Sequence, residues 1–132
     1  MARKRLARGS AIDFARVERM FYKRFLELRI CSEVEVVLEN GVLELHRGWE
    51  PGPESTVPMT PEVAERLTQL FGDCGISSWK RHYKPEGYMV KDGEGWDLAL
   101  ELDDGSVFKS EGSNAWPENF EKLEEGLVGL FG

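Results

Sequence analysis

Two stretches of the chain alternate apolar and polar residues, and two others repeat apolar residues every three or four positions. Trp96, Leu98, Leu100 and Leu102 alternate with Asp97, Ala99 and Glu101. Successive side chains of a strand point to opposite faces, so this pattern predicts a strand with one buried face. Asp103, Asp104 and Gly105 then supply turn chemistry, and Val107 to Ser110 can return antiparallel. A two-residue loop pairs Leu102 with Val107, and a three-residue loop with a bulge sets Phe108 against Leu100. Both registers stand at this level. Val34, Val36 and Leu38 precede Asn40-Gly41, with Leu43 and Leu45 beyond. Asn-Gly between alternating runs predicts a two-residue hairpin pairing Leu38 with Leu43 and Val36 with Leu45.

Helical spacing appears at Val63, Leu67, Leu70 and Phe71, which predicts a helix over 61–71. Thr60 is placed to cap it, Pro61 occupies its first turn, and Gly72 is expected to end it in a left-handed cap. A second stripe, Phe120, Leu123, Leu127, Leu130 and Phe131, predicts a helix over 117–131 started by Pro117. Gly126 and Gly129 each weaken it by roughly 1 kcal/mol relative to Ala, and mark either close packing or a fraying end. Over 12–28 the stripe Phe14, Val17, Phe21, Phe25 and Leu28 fits a helix, while Met20, Tyr22, Leu26, Leu28 and Ile30 fit a strand. Tyr88 to Val90 reads as a short strand, Asp92 to Gly95 as a turn, and Gly48 to Pro58 as a Pro/Gly-rich loop. The fold class is α+β, with an antiparallel sheet of about four or five strands and two helices, or three if 12–28 is helical, on one face.

With 132 residues the chain is long enough for one domain with a substantial core. The net charge of −7 is unevenly spread. Residues 1–30 hold nine Arg/Lys against three acids, a balance of +6, and the remainder holds eight against twenty-one, a balance of −13. Residues 1–10 are therefore expected to form a flexible basic arm ahead of a single domain over 11–132. Arg3, Lys4, Arg5 and Arg8 are its candidate nucleic-acid contacts. No apolar run matches a membrane span or a signal-peptide core, so a cytoplasmic location is the expectation. Cys31 and Cys74 show no ligand or redox spacing and are expected as reduced, packed thiols.

Candidate chemistry is sparse. His46 and His82 are the only histidines, and no nucleophile motif accompanies them. His46 is expected to pair with Glu44 at the surface. Asp92, Asp97, Glu101, Asp103 and Asp104 are accounted for by turns and an exposed strand face, and lack calcium-loop spacing. No catalytic residue, metal site or cofactor is assigned. Trp79-Lys80-Arg81-His82-Tyr83-Lys84 interleaves aromatic and basic residues, as base-stacking segments do. Asn114 and Trp116, in a loop ahead of a helix, are the candidate ligand contacts. Turn chemistry explains the same residues without a ligand, with Asn114 capping backbone and Trp116 lying over the core. Trp49, Trp79, His82 and Tyr83 are the candidate protein-interface residues.

The segment Asp92, Gly93, Trp96, Asp104, Gly105, Gly112, Asn114, Trp116, Pro117, Asn119 and Phe120 resembles the C-terminal block of small bacterial proteins whose activity is unknown. Trp79 fits the same pattern. The resemblance implies a shared α+β fold and a bacterial source, and transfers no catalytic residue. The functional expectation is a non-catalytic protein-interaction or self-associating module. The alternatives are a nucleic-acid-associated protein using the basic segment, and an enzyme or small-ligand binder centred on Gly112 to Trp116.

Overall fold

A computed structural model of the chain describes residues 5–26, 32–48, 51–85 and 93–132. The elements are β1 (Val17–Leu26), β2 (Ser32–Glu39), β3 (Val42–His46), β4 (Ser55–Pro58), α1 (Pro61–Cys74), β5 (His82–Tyr83), β6 (Glu94–Leu102), β7 (Val107–Ser113) and α2 (Phe120–Gly129). The strands form one mixed, mostly antiparallel sheet in the order β4-β3-β2-β1-β6-β7-β5, in which only β5 and β7 run parallel. The α+β class stands, and the count of four or five strands is corrected to seven among the described residues. The two additional strands are β4 and β5, a four-residue strand ending in Pro58 and a two-residue strand. Both lie at sheet edges, where a short strand needs no alternating apolar pattern and a proline is tolerated.

Residues 12–28 resolve in favour of the strand, as far as Leu26. A 3₁₀ turn over Phe14–Arg16 is capped by Asp13, whose carboxylate accepts from the Ala15 N–H at 2.9 Å. The chain then enters β1, the central strand. Met20 lies opposite both Leu38 and Leu100, and Tyr22 opposite both Val36 and Leu98. Pairing along both edges outweighs the mild helix preference of Ala, Arg, Glu and Met, which is a weak local bias. Cross-strand rows such as Leu43–Leu38–Met20–Leu100–Phe108 form one face of the sheet. That face and the stripes Ala64, Leu67, Phe71 and Cys74 of α1 and Phe120, Leu123 and Leu127 of α2 join a single buried cluster.

The β2–β3 hairpin has the expected register, with Asn40 and Gly41 at φ of 52° and 76°. In the β6–β7 hairpin the three-residue loop prevails. The Leu102 N–H donates to Ser106 O at 2.9 Å, Gly105 takes φ of 85°, and Phe108 lies opposite Leu100. Asp104 closes the turn by accepting from the Ser106 N–H at 2.8 Å and from its hydroxyl, while Arg16 reaches Asp103 at 3.2 Å and Asp104 at 2.9 Å.

Both helix boundaries shift. Thr60 caps α1 as expected, accepting from the Val63 N–H at 3.2 Å. The helix passes through Gly72 and ends at Cys74, where Gly75 takes the left-handed cap at φ of 67°. Cys74 extends the buried stripe one position past Phe71, so packing holds the additional turn. In α2, Pro117 lies in a preceding turn, and the helix starts at Phe120 after Asn119 at φ of 69°. Gly126 marks close packing, since a Cβ there would meet Leu70 at 2.5 Å, whereas Gly129 faces open space. Cys74 is a buried free thiol, raised from its ordinary pKa by burial; Cys31 lies outside the described residues. Tyr88 to Val90, with Asp92, also lie outside them. Among the described residues no helix is long and apolar enough to cross a membrane.

Candidate functional site

Two basic segments far apart in sequence meet at one edge of the sheet. Residues 5–10 run beside β7 and the segment after α1. The Leu6 N–H donates to Val107 O at 2.9 Å, the Gly9 N–H donates to Ser77 O at 2.9 Å, and Arg8 donates to Ser78 O through Nε at 3.3 Å and Nη2 at 3.2 Å. Of the expected flexible arm, residues 5–10 thus lie against the domain, and Arg3 and Lys4 fall outside the described residues. The other wall, residues 77–81, is fastened to β7 by Ser110 Oγ donating to Lys80 O at 2.5 Å and by the Glu111 N–H donating to Arg81 O at 3.0 Å.

Between these walls lies a groove of about 530 Å³ bearing Arg5, Arg8, Lys80, Arg81 and Lys109. Among the described residues no acidic one lines it. Arg81 reaches Glu111 at 3.5 Å at its margin, and the Lys80 ammonium sits 6.0 Å from the Tyr83 ring centroid. Of the sequence candidates, Arg5 and Arg8 are here, joined by Lys80 and Arg81 of the aromatic–basic hexapeptide. Lys109 was not singled out, and no local motif marks it. It becomes relevant only because β7 carries it to the same edge.

Trp79 is assigned by the structure to the core. It is 7% exposed, edge-to-face with Trp96 at 5.7 Å and stacked on Phe120 at 6.3 Å. His82 Nδ1 lies 2.7 Å from Glu111 Oε1, and Tyr83 packs near Trp96 at 5.8 Å while its hydroxyl accepts from the Lys80 N–H at 2.9 Å. His46 Nε2 meets Glu44 Oε1 at 2.9 Å, the expected pair. Trp49 lies outside the described residues.

Asn114 and Trp116 part company. Asn114 adopts φ of 52°, its Oδ1 accepts from the Glu94 N–H at 3.0 Å, and its own N–H donates to Glu94 O at 2.9 Å. Its side chain closes the loop onto β6, the structural alternative raised for it. Trp116 is 45% exposed at the rim of an open cleft of about 850 Å³. The polar groups at the back of that cleft satisfy one another: Glu124 Oε1 accepts from Tyr22 Oη at 2.8 Å and from Arg24 Nε at 2.7 Å, and Arg24 Nη1 lies 3.7 Å from Glu94. Burial and the Glu124 carboxylate push the Tyr22 hydroxyl well above the usual phenol range.

On the face away from the helices, a row of ionisable side chains crosses the sheet through His46, Glu35, Lys23, Asp97, Glu111 and His82. Asp97 and Glu111 stand side by side, and burial together with the neighbouring carboxylate raises the Asp97 acid above its ordinary value. Among the described residues no group of three His, Cys, Asp or Glu is placed to hold a metal ion.

Comparison of the chain with protein-family models, with curated proteins and with solved structures gives no match in any of the three.

Proposed function

We propose that this protein is a non-catalytic binding module that takes an anionic partner in the groove between residues 5–8 and 77–81. The observation that carries the reading is the gathering of five cationic side chains, from three separate parts of the chain, around a groove lined by no carboxylate among the described residues. The described residues include 20 acidic and 13 basic ones, so eight basic residues remain outside the groove against all 20 acids. Positive potential is thereby concentrated in one recess, which draws anions to it and away from the rest of the surface. Apolar self-association is less well supported, because Val42 and Trp116 are the large hydrophobics exposed among the described residues. Lone exposed apolar side chains are ordinary on monomeric proteins.

A ligand that binds only the folded chain raises its melting temperature. Heparin, polyglutamate, an oligonucleotide and inorganic tripolyphosphate are offered in turn to the native protein and to the Arg5→Glu/Lys109→Glu variant. At least one is expected to raise the native melting temperature and to leave the variant's unchanged. Failure of all four to separate the two proteins overturns the reading.

A further inference from the structure

We infer that the groove selects a compact ligand carrying two or more linked phosphoryl groups, in preference to an extended polyanion. The inference rests on the anion-binding reading above and narrows it. Volume is the first ground. About 530 Å³ falls within the range of small-ligand sites and is far from the span of a duplex or a folded partner.

Preorganisation is the second. Arg8 is held by its two contacts to Ser78 O, and both walls are tied to β7 by the Leu6, Ser110 and Glu111 bonds. Arg5 and Lys109 are both exposed, and neither belongs to an ion pair found among the described residues. Guanidinium groups match phosphate oxygens in pairs, and ammonium groups serve as mobile point charges beside them.

The third ground is what surrounds the groove. An extended chain leaving it would run over a surface where the remaining described residues, eight basic against 20 acidic, carry a net balance of −12. The groove's indole cannot compensate by stacking on bases, because Trp79 is buried against Trp96 and Phe120. Stacking is the contribution that single-stranded nucleic acid draws from aromatic side chains, and without it only the phosphates are held. A compact polyphosphate places all its charge inside the recess and none over the acidic surround.

The test is titration calorimetry of the full chain with inorganic tripolyphosphate, a twenty-nucleotide oligo-dT and polyglutamate at one ionic strength. Tripolyphosphate is expected to bind most tightly. Losing two charge-assisted contacts in Arg5→Glu/Lys109→Glu should weaken it by about 100-fold. Lys109→Arg should retain binding, and Lys122→Glu, in the other cleft, should leave it unchanged. If the double variant does not fold by circular dichroism, Lys109→Gln alone is expected to weaken binding by about tenfold. Tighter binding of oligo-dT or polyglutamate overturns the compact-ligand inference and leaves the anion-binding reading intact. Equal binding of tripolyphosphate by the native protein and by Arg5→Glu/Lys109→Glu, or by Lys109→Gln where the double variant does not fold, also overturns the inference. Absence of binding by all three overturns both.

Discussion

The indole of Trp96 lies across Gly112. The two residues are directly opposed on β6 and β7, and a Cβ on Gly112 would stand 2.2 Å from Trp96 Nε1 and 2.5 Å from Ala115 O. The indole N–H donates to that same Ala115 carbonyl at 2.9 Å. Phe25 repeats the arrangement on the other face, where a Cβ on Gly95 would meet its ring at 2.6 Å. In each pair a glycine vacates the space that a large ring fills, a known way of keeping glycine inside a sheet. Gly112→Ala is expected to cost about 3 kcal/mol, since overpacking a well-filled site forces backbone or ring to move. Denaturant unfolding followed by tryptophan fluorescence measures it, and a loss under about 1 kcal/mol would show that the ring yields freely.

Asn114 serves the backbone, so its removal should affect stability and leave anion binding alone. Asn114→Ala loses the bond to the Glu94 N–H and places a β-carbon at φ of 52°. Together these should cost about 2 kcal/mol. Asn114→Gly should recover the backbone part, leaving about 1 kcal/mol. A change in tripolyphosphate affinity in either variant would contradict this assignment.

Gly126 and Gly129 lie three residues apart on α2 and should respond differently to alanine. Gly129→Ala meets nothing within 4 Å and should stabilise the protein by up to about 1 kcal/mol through helix propensity alone. Gly126→Ala gains the same propensity but must displace the Leu70 side chain, and is expected to be neutral or destabilising. In a Leu70→Ala background it should become stabilising. A double-mutant cycle by thermal unfolding isolates the Leu70 contribution, and additive effects would refute the contact.

Asp97 gives stability an unusual pH dependence. Burial and the Glu111 carboxylate raise its acid above the ordinary 3.8. The folded chain therefore binds that proton more tightly than the unfolded chain does. Its contribution is fully present below the unfolded value and is lost as pH rises through the folded one. Asp97→Asn should therefore raise the melting temperature near neutral pH, and the gain should fade on acidification toward 3.8 and below. Asp104 runs the other way. Hydrogen bonds from Ser106, with help from Arg16, hold it at about 2, so its contribution is present above the ordinary carboxylate value and is lost as pH falls toward that figure. A melting temperature lowered by Asp97→Asn at neutral pH would mean that Lys23 and Arg81 outweigh the neighbouring carboxylate.

Much of the fold was legible from local pattern, because alternation, turn residues and helical stripes are properties of short segments. Asn40-Gly41 determined its hairpin register, and Thr60-Pro61 determined where α1 starts. Leu98 and Leu100 determined which face of β6 is buried. Other features needed partners that local pattern does not contain. β1 became a strand because β2 and β6 pair with it on both sides, and α1 outran Gly72 because Cys74 found a place in the core. The candidate site belongs to both groups. Arg5 and Arg8, and Lys80 and Arg81, stand in two basic segments legible in the sequence, whereas nothing local marks Lys109, and charge acts through space. Only the tertiary structure decided that their charges add at one place.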